Sequence, residues 1–339
     1  REGAVIVGGR LRSNSIINIQ ANNNIILTSD ISRADINGSI SLNTVRGNIV
    51  TRSIDTGTNG AIELRAFGDV NFGTLQGTKV DVTSNSGELG VLSDRNTIVP
   101  NTTPVNITAT ENLTLAASRD LTVGELRGAT VSAISRNGAV ATGAIATTGD
   151  VSIVAGGPIN TAAITVNRAA ANLVNRIIAT VNLDAQTNIN VGSINAPTAT
   201  IALRATNNLN AGNLQGRAVD VTSSTGNITT ANTSSTGNIN LQAARNVNSG
   251  NLQGVGVSVN SNSGSIQTTN ATAARNVSLS ASGDVNAGNL RGVAVDVNSS
   301  AGNVIVADVE ATENINLRAA QNVTAGNLQG VGVDLTSRG

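Results

Sequence analysis

Residues 237–254 read GNINLQAARNVNSGNLQG, and residues 313–330 read ENINLRAAQNVTAGNLQG, which is nearly the same phrase. The last part of this phrase, Gly-Asn-Leu-Gln/Arg-Gly, recurs at a constant interval and begins at Gly212, Gly250, Gly288 and Gly326. A fixed period of about 38 residues is typical of repeat architectures, in which each repeat is one structural unit that stacks on the next. The repeat therefore decides the fold class.

Apolar residues recur at half of this period, which predicts a structural turn of about 19 residues. One column at this interval contains Leu209, Ile228, Val247, Ile266, Val285, Val304 and Val323. A second column, with one polar member, contains Leu214, Thr233, Leu252, Ala271, Leu290, Val309 and Leu328. A third column consists of apolar pairs separated by one residue, at spacings that alternate between 18 and 20: Ile201/Leu203, Val219/Val221, Ile239/Leu241, Val257/Val259, Val277/Leu279, Val295/Val297, Ile315/Leu317 and Val333/Leu335.

Alternation of apolar and polar residues predicts short, half-buried strands, and the Gly and Asn clusters between them indicate corners that need a positive φ. Apolar residues do not recur at helical spacing, so a helix is disfavoured. We therefore predict an all-β fold, a single-stranded right-handed parallel β-helix (β-solenoid) with about 19 residues per turn and about 18 turns. Turns spaced by about 4.8 Å would give a rod about 85 Å long.

The period is less regular in the first half of the chain, where apolar pairs continue with variable gaps. These pairs are Ile17/Ile19, Ile40/Leu42, Ile62/Leu64, Val80/Val82, Leu113/Leu115, Val131/Ala133, Val151/Ile153 and Val181/Leu183. We expect one continuous solenoid over 1–339, an interior fragment of a longer chain. Extra residues with two prolines predict a loop insertion at 90–106, and a shortened spacing predicts an irregular turn at 165–180.

Polar residues form two further columns at the same interval. One contains Asn213, Asn232, Asn251, Asn270, Asn289, Asp308 and Asn327, and the other contains Asn208, Asn227, Asn246, Ser265, Asp284, Asn303 and Asn322. Stacked turns place equivalent residues above one another, so each column predicts a ladder of hydrogen-bonded side chains. The unbroken interval favours internal ladders over surface turns in which Asn is merely tolerated.

The composition excludes several classes of function. Of 339 residues only Phe67 and Phe72 are aromatic, 47 are Asn, and Cys, His, Met, Trp and Tyr are absent. The usual ligands of zinc, iron and copper and the common catalytic triads are therefore missing. The 21 basic and 21 acidic residues cancel, so we expect no nucleic-acid partner, and no apolar run is long enough to insert into a membrane. We expect no cofactor, no bound metal and no catalytic residues.

Three weaker patterns keep alternatives open. Asp81, Asp220, Asp296 and Asp334 lie between apolar strand residues and should point outward, where paired carboxylates could serve a polysaccharide-active enzyme. Asp308 and Glu310 could hold a chance calcium ion, although the glycine-rich calcium repeat is missing. Thr229, Thr230, Thr268 and Thr269 could form part of a flat ice-binding face, but they recur only every second turn.

The repeat phrases of residues 237–254 and 313–330 resemble those of the filamentous haemagglutinin class of large bacterial exoproteins. The resemblance covers about Ile17 to Leu335 and implies 19- to 20-residue β-helical turns, export of the parent polypeptide by two-partner secretion, and a secreted or surface-attached adhesive or structural fibre. The family's amino-terminal secretion domain is not visible, and no functional residue can be carried over from the family.

From the residues and the resemblance together, we predict a non-enzymatic extracellular structural fibre or adhesin shaft at the bacterial cell surface. The expected partners are further copies of the chain, joined end to end or laterally into filaments, and a host-cell, neighbouring-cell or glycan surface. The alternatives are a β-helical polysaccharide-active enzyme and an ice-binding type of flat-face binder.

Overall fold

The chain forms two compact units, Arg1–Asn175 and Arg176–Gly339. The computed structural model describes residues 3–32, 34, 36, 38–90, 105–167 and 178–338. Over these residues the chain is all-β, and each unit is a parallel β-solenoid with about 19 residues per turn. The predicted fold class is confirmed. The units together hold about 16 turns, slightly fewer than the number expected.

The described residues of the first unit form 21 strands, each two to six residues long. They are β1 (Val5–Val7), β2 (Ile17–Ala21), β3 (Ile25–Leu27), β4 (Ile40–Thr44), β5 (Ile49–Val50), β6 (Ile54–Asp55), β7 (Ile62–Ala66), β8 (Val70–Asn71), β9 (Leu75–Gly77), β10 (Val80–Ser84), β11 (Leu89–Gly90), β12 (Ile107–Ala109), β13 (Asn112–Ala117), β14 (Leu121–Thr122), β15 (Leu126–Gly128), β16 (Thr130–Ser135), β17 (Val140–Thr142), β18 (Ile145–Thr147), β19 (Val151–Ala155), β20 (Ile159–Thr161) and β21 (Ile164–Val166).

In the second unit the part of the chain that the structure describes also forms 21 strands, some of which run through a corner of the turn. They are β22 (Thr180–Ala185), β23 (Ile189–Val191), β24 (Ile194–Ala205), β25 (Leu209–Ala211), β26 (Leu214–Ser223), β27 (Ile228–Thr230), β28 (Thr233–Ser235), β29 (Ile239–Ala243), β30 (Val247–Gly254), β31 (Val257–Ser261), β32 (Ile266–Ala273), β33 (Val277–Ala281), β34 (Val285–Ala287), β35 (Leu290–Gly292), β36 (Val295–Ser299), β37 (Val304–Val306), β38 (Val309–Ala311), β39 (Asn314–Ala319), β40 (Val323–Thr324), β41 (Leu328–Gln329) and β42 (Gly332–Ser337).

Each turn of the second unit has three strand positions, which we number first, second and third in chain order. At the second position Leu209 pairs with Ile228, and Ile228 pairs with Val247 in parallel register. At the third position Leu214 pairs with Thr233. The apolar pairs of the first position align in the same way, from Ile201 with Val219 to Ile315 with Val333. All three columns inferred from the sequence are therefore confirmed.

The alternating spacing at the first position comes from two kinds of turn. One kind has a buried serine at the end of the first strand and a longer path from the first strand to the second, as from Val219 to Ile228. The other kind has an alanine at that place and a path that is one residue shorter, as from Ile239 to Val247. The corner that leads from the third strand of the preceding turn to the first strand differs by one residue in the opposite sense. The second and third columns therefore keep a constant interval.

The turns of the first unit are less regular, which explains the smaller number of turns. Ile17 pairs with Ile40, and Ile40 pairs with Ile62, so these two turns are longer than those of the second unit. Val80 pairs with Leu113 across a still longer stretch of chain. The loop insertion predicted at 90–106 and the irregular turn predicted at 165–180 fall mainly on 91–104 and 168–177, which lie outside the described residues. Continuity of one solenoid over 1–339 stays a prediction.

The interior is lined by aliphatic side chains, as the composition requires. Leu241 and Val259 of the second unit are 0% and 1% exposed, and inward positions of the first unit hold mainly Ile, Leu and Val. Of the two phenylalanines, Phe72 is fully buried and Phe67 is 49% exposed. Burial of aliphatic groups between stacked turns supplies the main favourable term of folding, so each turn depends on its neighbours.

The corner glycines are required for a reason other than the one expected. Among the described glycines only Gly57 has a positive φ, at 63°. Many corner glycines instead allow the adjacent turn to come close: a Cβ on Gly226 would lie 2.6 Å from the backbone carbon of Asn207, and one on Gly264 would lie 2.7 Å from that of Arg245. For the described glycines other than Gly57, the prediction of left-handed corners is therefore wrong. At Gly226 and Gly264 the constraint acts between turns and not within one residue.

Candidate functional surface

The Asn208 column of the second unit joins successive turns through side-chain oxygens. The backbone N–H of Asn227 donates to Oδ1 of Asn208 at 3.0 Å, and that of Asn246 donates to Oδ1 of Asn227 at the same distance. The side-chain amides add Nδ2 to Oδ1 bonds of 3.1 Å along the same line. The column comprises Asn208, Asn227, Asn246, Ser265, Asp284, Asn303 and Asn322.

The Asn213 column has the same arrangement at the next corner. Asn232 donates its backbone N–H to Oδ1 of Asn213 at 3.2 Å, and Asn251 donates to Oδ1 of Asn232 at 2.9 Å. Between Asn251 and Asn270 the bond runs instead from the side-chain Nδ2, at 2.8 Å. The column comprises Asn213, Asn232, Asn251, Asn270, Asn289, Asp308 and Asn327.

The serine and aspartate members of the columns show which chemical group these positions require. Oγ of Ser265 accepts the N–H of Asp284 at 3.0 Å, and Oδ1 of Asp284 accepts the N–H of Asn303 at 2.7 Å. Ser, Asp and Asn share a side-chain oxygen at a similar distance from the backbone. A short side chain with an acceptor is therefore the common requirement, because it satisfies a corner N–H that no backbone carbonyl reaches.

Both columns are accessible to solvent, and this corrects one expectation. All fourteen residues are exposed or half-buried, so the ladders run along the outside of the corners and are not internal. Water can replace an exposed hydrogen bond, so each rung contributes less than a buried bond would. The ladders therefore stabilise the unit through the number of their rungs and not through the strength of any single bond.

The first unit contains side-chain bonds of the same kind that the sequence analysis missed. The backbone N–H of Asn48 donates to Oδ1 of Asn24 at 2.8 Å, and that of Asp69 donates to Oδ1 of Asn48 at 2.8 Å. Asp120 accepts the N–H of Ala139 at 2.7 Å. The signal was an Asn or Asp immediately before an apolar strand residue, but the uneven turn lengths hid it from a search at a fixed interval.

A buried serine completes the longer corners and was also missed. Oγ of Ser223 donates to the carbonyl of Asn207 in the previous turn at 2.5 Å and accepts the N–H of Gly226 at 3.1 Å. Ser299 repeats both bonds, to Gly283 at 2.7 Å and from Gly302 at 2.9 Å. The signal was a Ser-x-x-Gly sequence that recurs in every second turn.

The outward carboxylates of the first strands lie as expected on the surface, but arginine and asparagine side chains surround them. Asp296 and Asp334 are separated by the turn that carries Asn316, and Arg318 contacts both of them, at 3.8 and 3.4 Å. Asp220 accepts a hydrogen bond from Nδ2 of Asn240 at 3.1 Å.

Asp81, which points outward from β10 of the first unit, lies 3.7 Å from Arg65, which also contacts Glu63 at 2.6 Å. The four carboxylates are thus each engaged with a neighbouring side chain. None of these contacts joins two of the aspartates directly to each other.

The candidate calcium ligands are used in other contacts. Oδ1 of Asp308 accepts the N–H of Asn327 at 2.8 Å, and Glu310 forms an ion pair with Arg291 at 3.1 Å. Across the described ranges, no group of three or more Asp, Glu, His or Cys side chains is arranged to hold a metal ion. The structure therefore gives no support to a calcium ion at Asp308 and Glu310.

The four threonines do not form one face. Thr230 and Thr268 point inward and are 5% and 4% exposed, whereas Thr229 and Thr269 are exposed. Thr229 pairs with Asn248 and Asn248 pairs with Gln267, so Thr269 belongs to a different column. The structure therefore gives no support to the ice-binding alternative.

Two shallow grooves run beside the ladders of the second unit. One, of about 370 Å³, is lined by uncharged polar side chains and Ile228: Asn208, Asn210, Asn227, Thr229, Asn246 and Asn248. The other, of about 750 Å³, follows the Asn213 column and includes the Arg291–Glu310 ion pair.

The described part of the chain includes no helix that could span a membrane. Comparison of the chain with known protein families, with curated proteins and with solved structures found no match.

Proposed function

We propose that the chain is a shaft segment of a non-enzymatic extracellular fibre or adhesin. The observation that carries this proposal is the repetition of the same bonds from turn to turn. In the second unit the strand register and the Asn208 and Asn213 columns continue from the turn of Leu209 to that of Leu328. A structure stabilised between neighbouring turns suits a mechanical role because length can grow without a new core.

The separation of interior and surface supports the same role. The first inward position of each second strand is aliphatic, whereas the outward position that follows it varies among Asn210, Thr229, Asn248 and Gln267. A surface that varies over a constant interior can present different groups to a partner without weakening the stack. We propose further copies of the chain and a cell or glycan surface as partners, and a location outside the cell or on its surface. The resemblance to filamentous haemagglutinins supports both.

The carboxylate contacts favour a structural role over catalysis. Glycan hydrolysis usually needs two carboxyl groups placed about 5–9.5 Å apart on either side of the scissile bond. Asp296 and Asp334 are two turns apart, which corresponds to about 9.6 Å, and Arg318 lies against both. The guanidinium therefore lies where a sugar would have to bind between the two carboxylates.

Immunogold electron microscopy of the source cells, with an antibody against this chain, tests the proposal. The proposal predicts label on thin fibres that extend from the cell surface. Label confined to the cytoplasm would contradict it. In parallel, the purified chain and its Asp296→Asn variant are assayed for release of sugars from polysaccharides. Turnover that the variant abolishes would favour the enzyme instead.

A further inference from the structure

Four side-chain hydroxyls of the second unit are buried without a hydrogen-bond partner among the described residues: that of Thr187 and three that lie together at one corner. The three at one corner are Oγ1 of Thr230, Oγ1 of Thr233 and Oγ of Ser249. The three residues are 5%, 1% and 4% exposed. Buried hydroxyls in folded proteins are nearly always hydrogen-bonded, either to protein or to an ordered water molecule.

The three groups lie inside the same corner, within two consecutive turns. Thr230 ends the second strand of one turn, and Thr233 begins the third strand after the exposed residue Asn232. Ser249 is the register partner of Thr230 in the next turn. The chain therefore brings all three side chains into one part of the interior.

Thr233 occupies a place that is apolar in the neighbouring turns. Its register partners are Leu214 on one side and Leu252 on the other. A threonine has a smaller side chain than a leucine, so it fills less of the corner and adds a polar atom. An internal water molecule requires polar partners and room, and this corner offers three hydroxyls and a side chain smaller than its two neighbours in the column.

Equivalent hydroxyls elsewhere have protein partners, which makes this corner exceptional within the described residues. Oγ1 of Thr268, one turn after Ser249, donates to the carbonyl of Gly250 at 2.9 Å. In the first unit Thr142 donates to the carbonyl of Gly143 at 3.1 Å and contacts Oγ1 of Thr161 at 2.8 Å. Hydroxyls at this position are thus satisfied by a backbone carbonyl or by each other where the corner allows it.

We propose that this corner binds an internal water molecule held by Thr230, Thr233 and Ser249. A buried water typically makes about three hydrogen bonds, which equals the number of unpartnered hydroxyls at this corner. Each hydroxyl can donate or accept, and water can do both, so one water molecule can form a hydrogen bond with each of the three hydroxyls. The water would stabilise a polar pocket inside an otherwise aliphatic interior.

Oxygen-17 magnetic relaxation dispersion of the full chain tests this site, because its amplitude measures long-lived internal water. Thr233→Val keeps the shape of the side chain and removes its hydroxyl, and Ser249→Ala is the second variant if Thr233→Val does not fold by circular dichroism. We expect the variant that folds to lose the amplitude of one water molecule. Thr142→Val, whose hydroxyl has protein partners, is the control and should keep the wild-type amplitude.

Unchanged amplitude in the folded variant would overturn the proposal, since the hydroxyls would then lie in a dry corner. An equal loss in Thr142→Val would also overturn it, because the lost water would not belong to this site.

Discussion

The backbone N–H and the side-chain Nδ2 of Asn246 both donate to Oδ1 of Asn227, at 3.0 and 3.1 Å. One side-chain oxygen therefore satisfies two donors of the next turn, and the amide of Asn227 in turn donates to Asn208. The same residue type acts as acceptor for the turn that follows and as donor to the turn before. This dual role explains why asparagine dominates the two columns.

Loss of the acceptor at Asn227 should weaken the second unit. Asn227→Ala leaves the N–H of Asn246 to water, and we expect the free energy of unfolding to fall by about 0.5–1.5 kcal/mol. Asn227→Ser keeps an oxygen at the place where Ser265 serves Asp284, so we expect a smaller loss. Urea unfolding followed by circular dichroism measures both. Equal losses in the two variants would mean that the acceptor is not what stabilises the corner.

The sequence predicted the columns of the second unit because every member returns at the same interval. It could not place the equivalent bonds of Asn48 and Asp69, because the intervals there are 24 and 21 residues. Extra residues in a turn lengthen the sequence interval between stacked residues but do not change which residues stack. The hydrogen bonds join stacked residues, so a fixed interval does not identify them where the turn length varies.

The buried serine of the longer corners should contribute more to the free energy of unfolding than an exposed serine does. Ser223→Ala removes a donor to Asn207 and leaves the buried N–H of Gly226 without its partner, so we expect a loss of about 1–3 kcal/mol. Ser224 is exposed, and Ser224→Ala should change stability by less than about 0.5 kcal/mol. Urea midpoints of the two variants provide the comparison. A similar shift for both would contradict the role given to Ser223.

The inward and outward assignment can be tested at two adjacent residues. Val247 is 1% exposed and Asn248 is exposed. Val247→Asp would bury an unpaired charge and should destabilise the second unit by about 3–5 kcal/mol, whereas Asn248→Asp places the charge in water. Thermal unfolding of the two variants should therefore differ widely. If both melt at the temperature of the wild type, the alternation of faces is wrong.

We expect replacement of a corner glycine by alanine to cost more stability where the adjacent turn lies closer. A Cβ on Gly264 would lie 2.7 Å from the backbone of Arg245, so we expect Gly264→Ala to cost about 1–3 kcal/mol. A Cβ on Gly256 would meet Oδ1 of Asn238 at 3.2 Å, and a side chain can move, so Gly256→Ala should cost less than about 1 kcal/mol. Chemical denaturation tests the order. The reverse order would contradict the close-approach explanation.

The chemistry of the surface was harder to infer than the fold. The sequence placed Asp296 and Asp334 on the same outward face, two turns apart, and the structure agrees. It did not indicate that Arg318 lies against both, because arginine is long and its direction depends on the neighbouring turns. The ion pairs of Arg318 with Asp296 and Asp334 are exposed, so they contribute little to stability. They do set the local charge of this face.

Electron paramagnetic resonance of spin labels tests the stacking of turns most directly. The chain has no cysteine, so labels attach only where cysteine is introduced. Thr229→Cys with Asn248→Cys places two labels on register partners about 4.8 Å apart along the stack. Thr229→Cys with Ile305→Cys places them four turns apart, about 19 Å. We predict strong spin–spin broadening in the first pair and narrow lines in the second. Identical spectra for the two pairs would contradict the in-register stack.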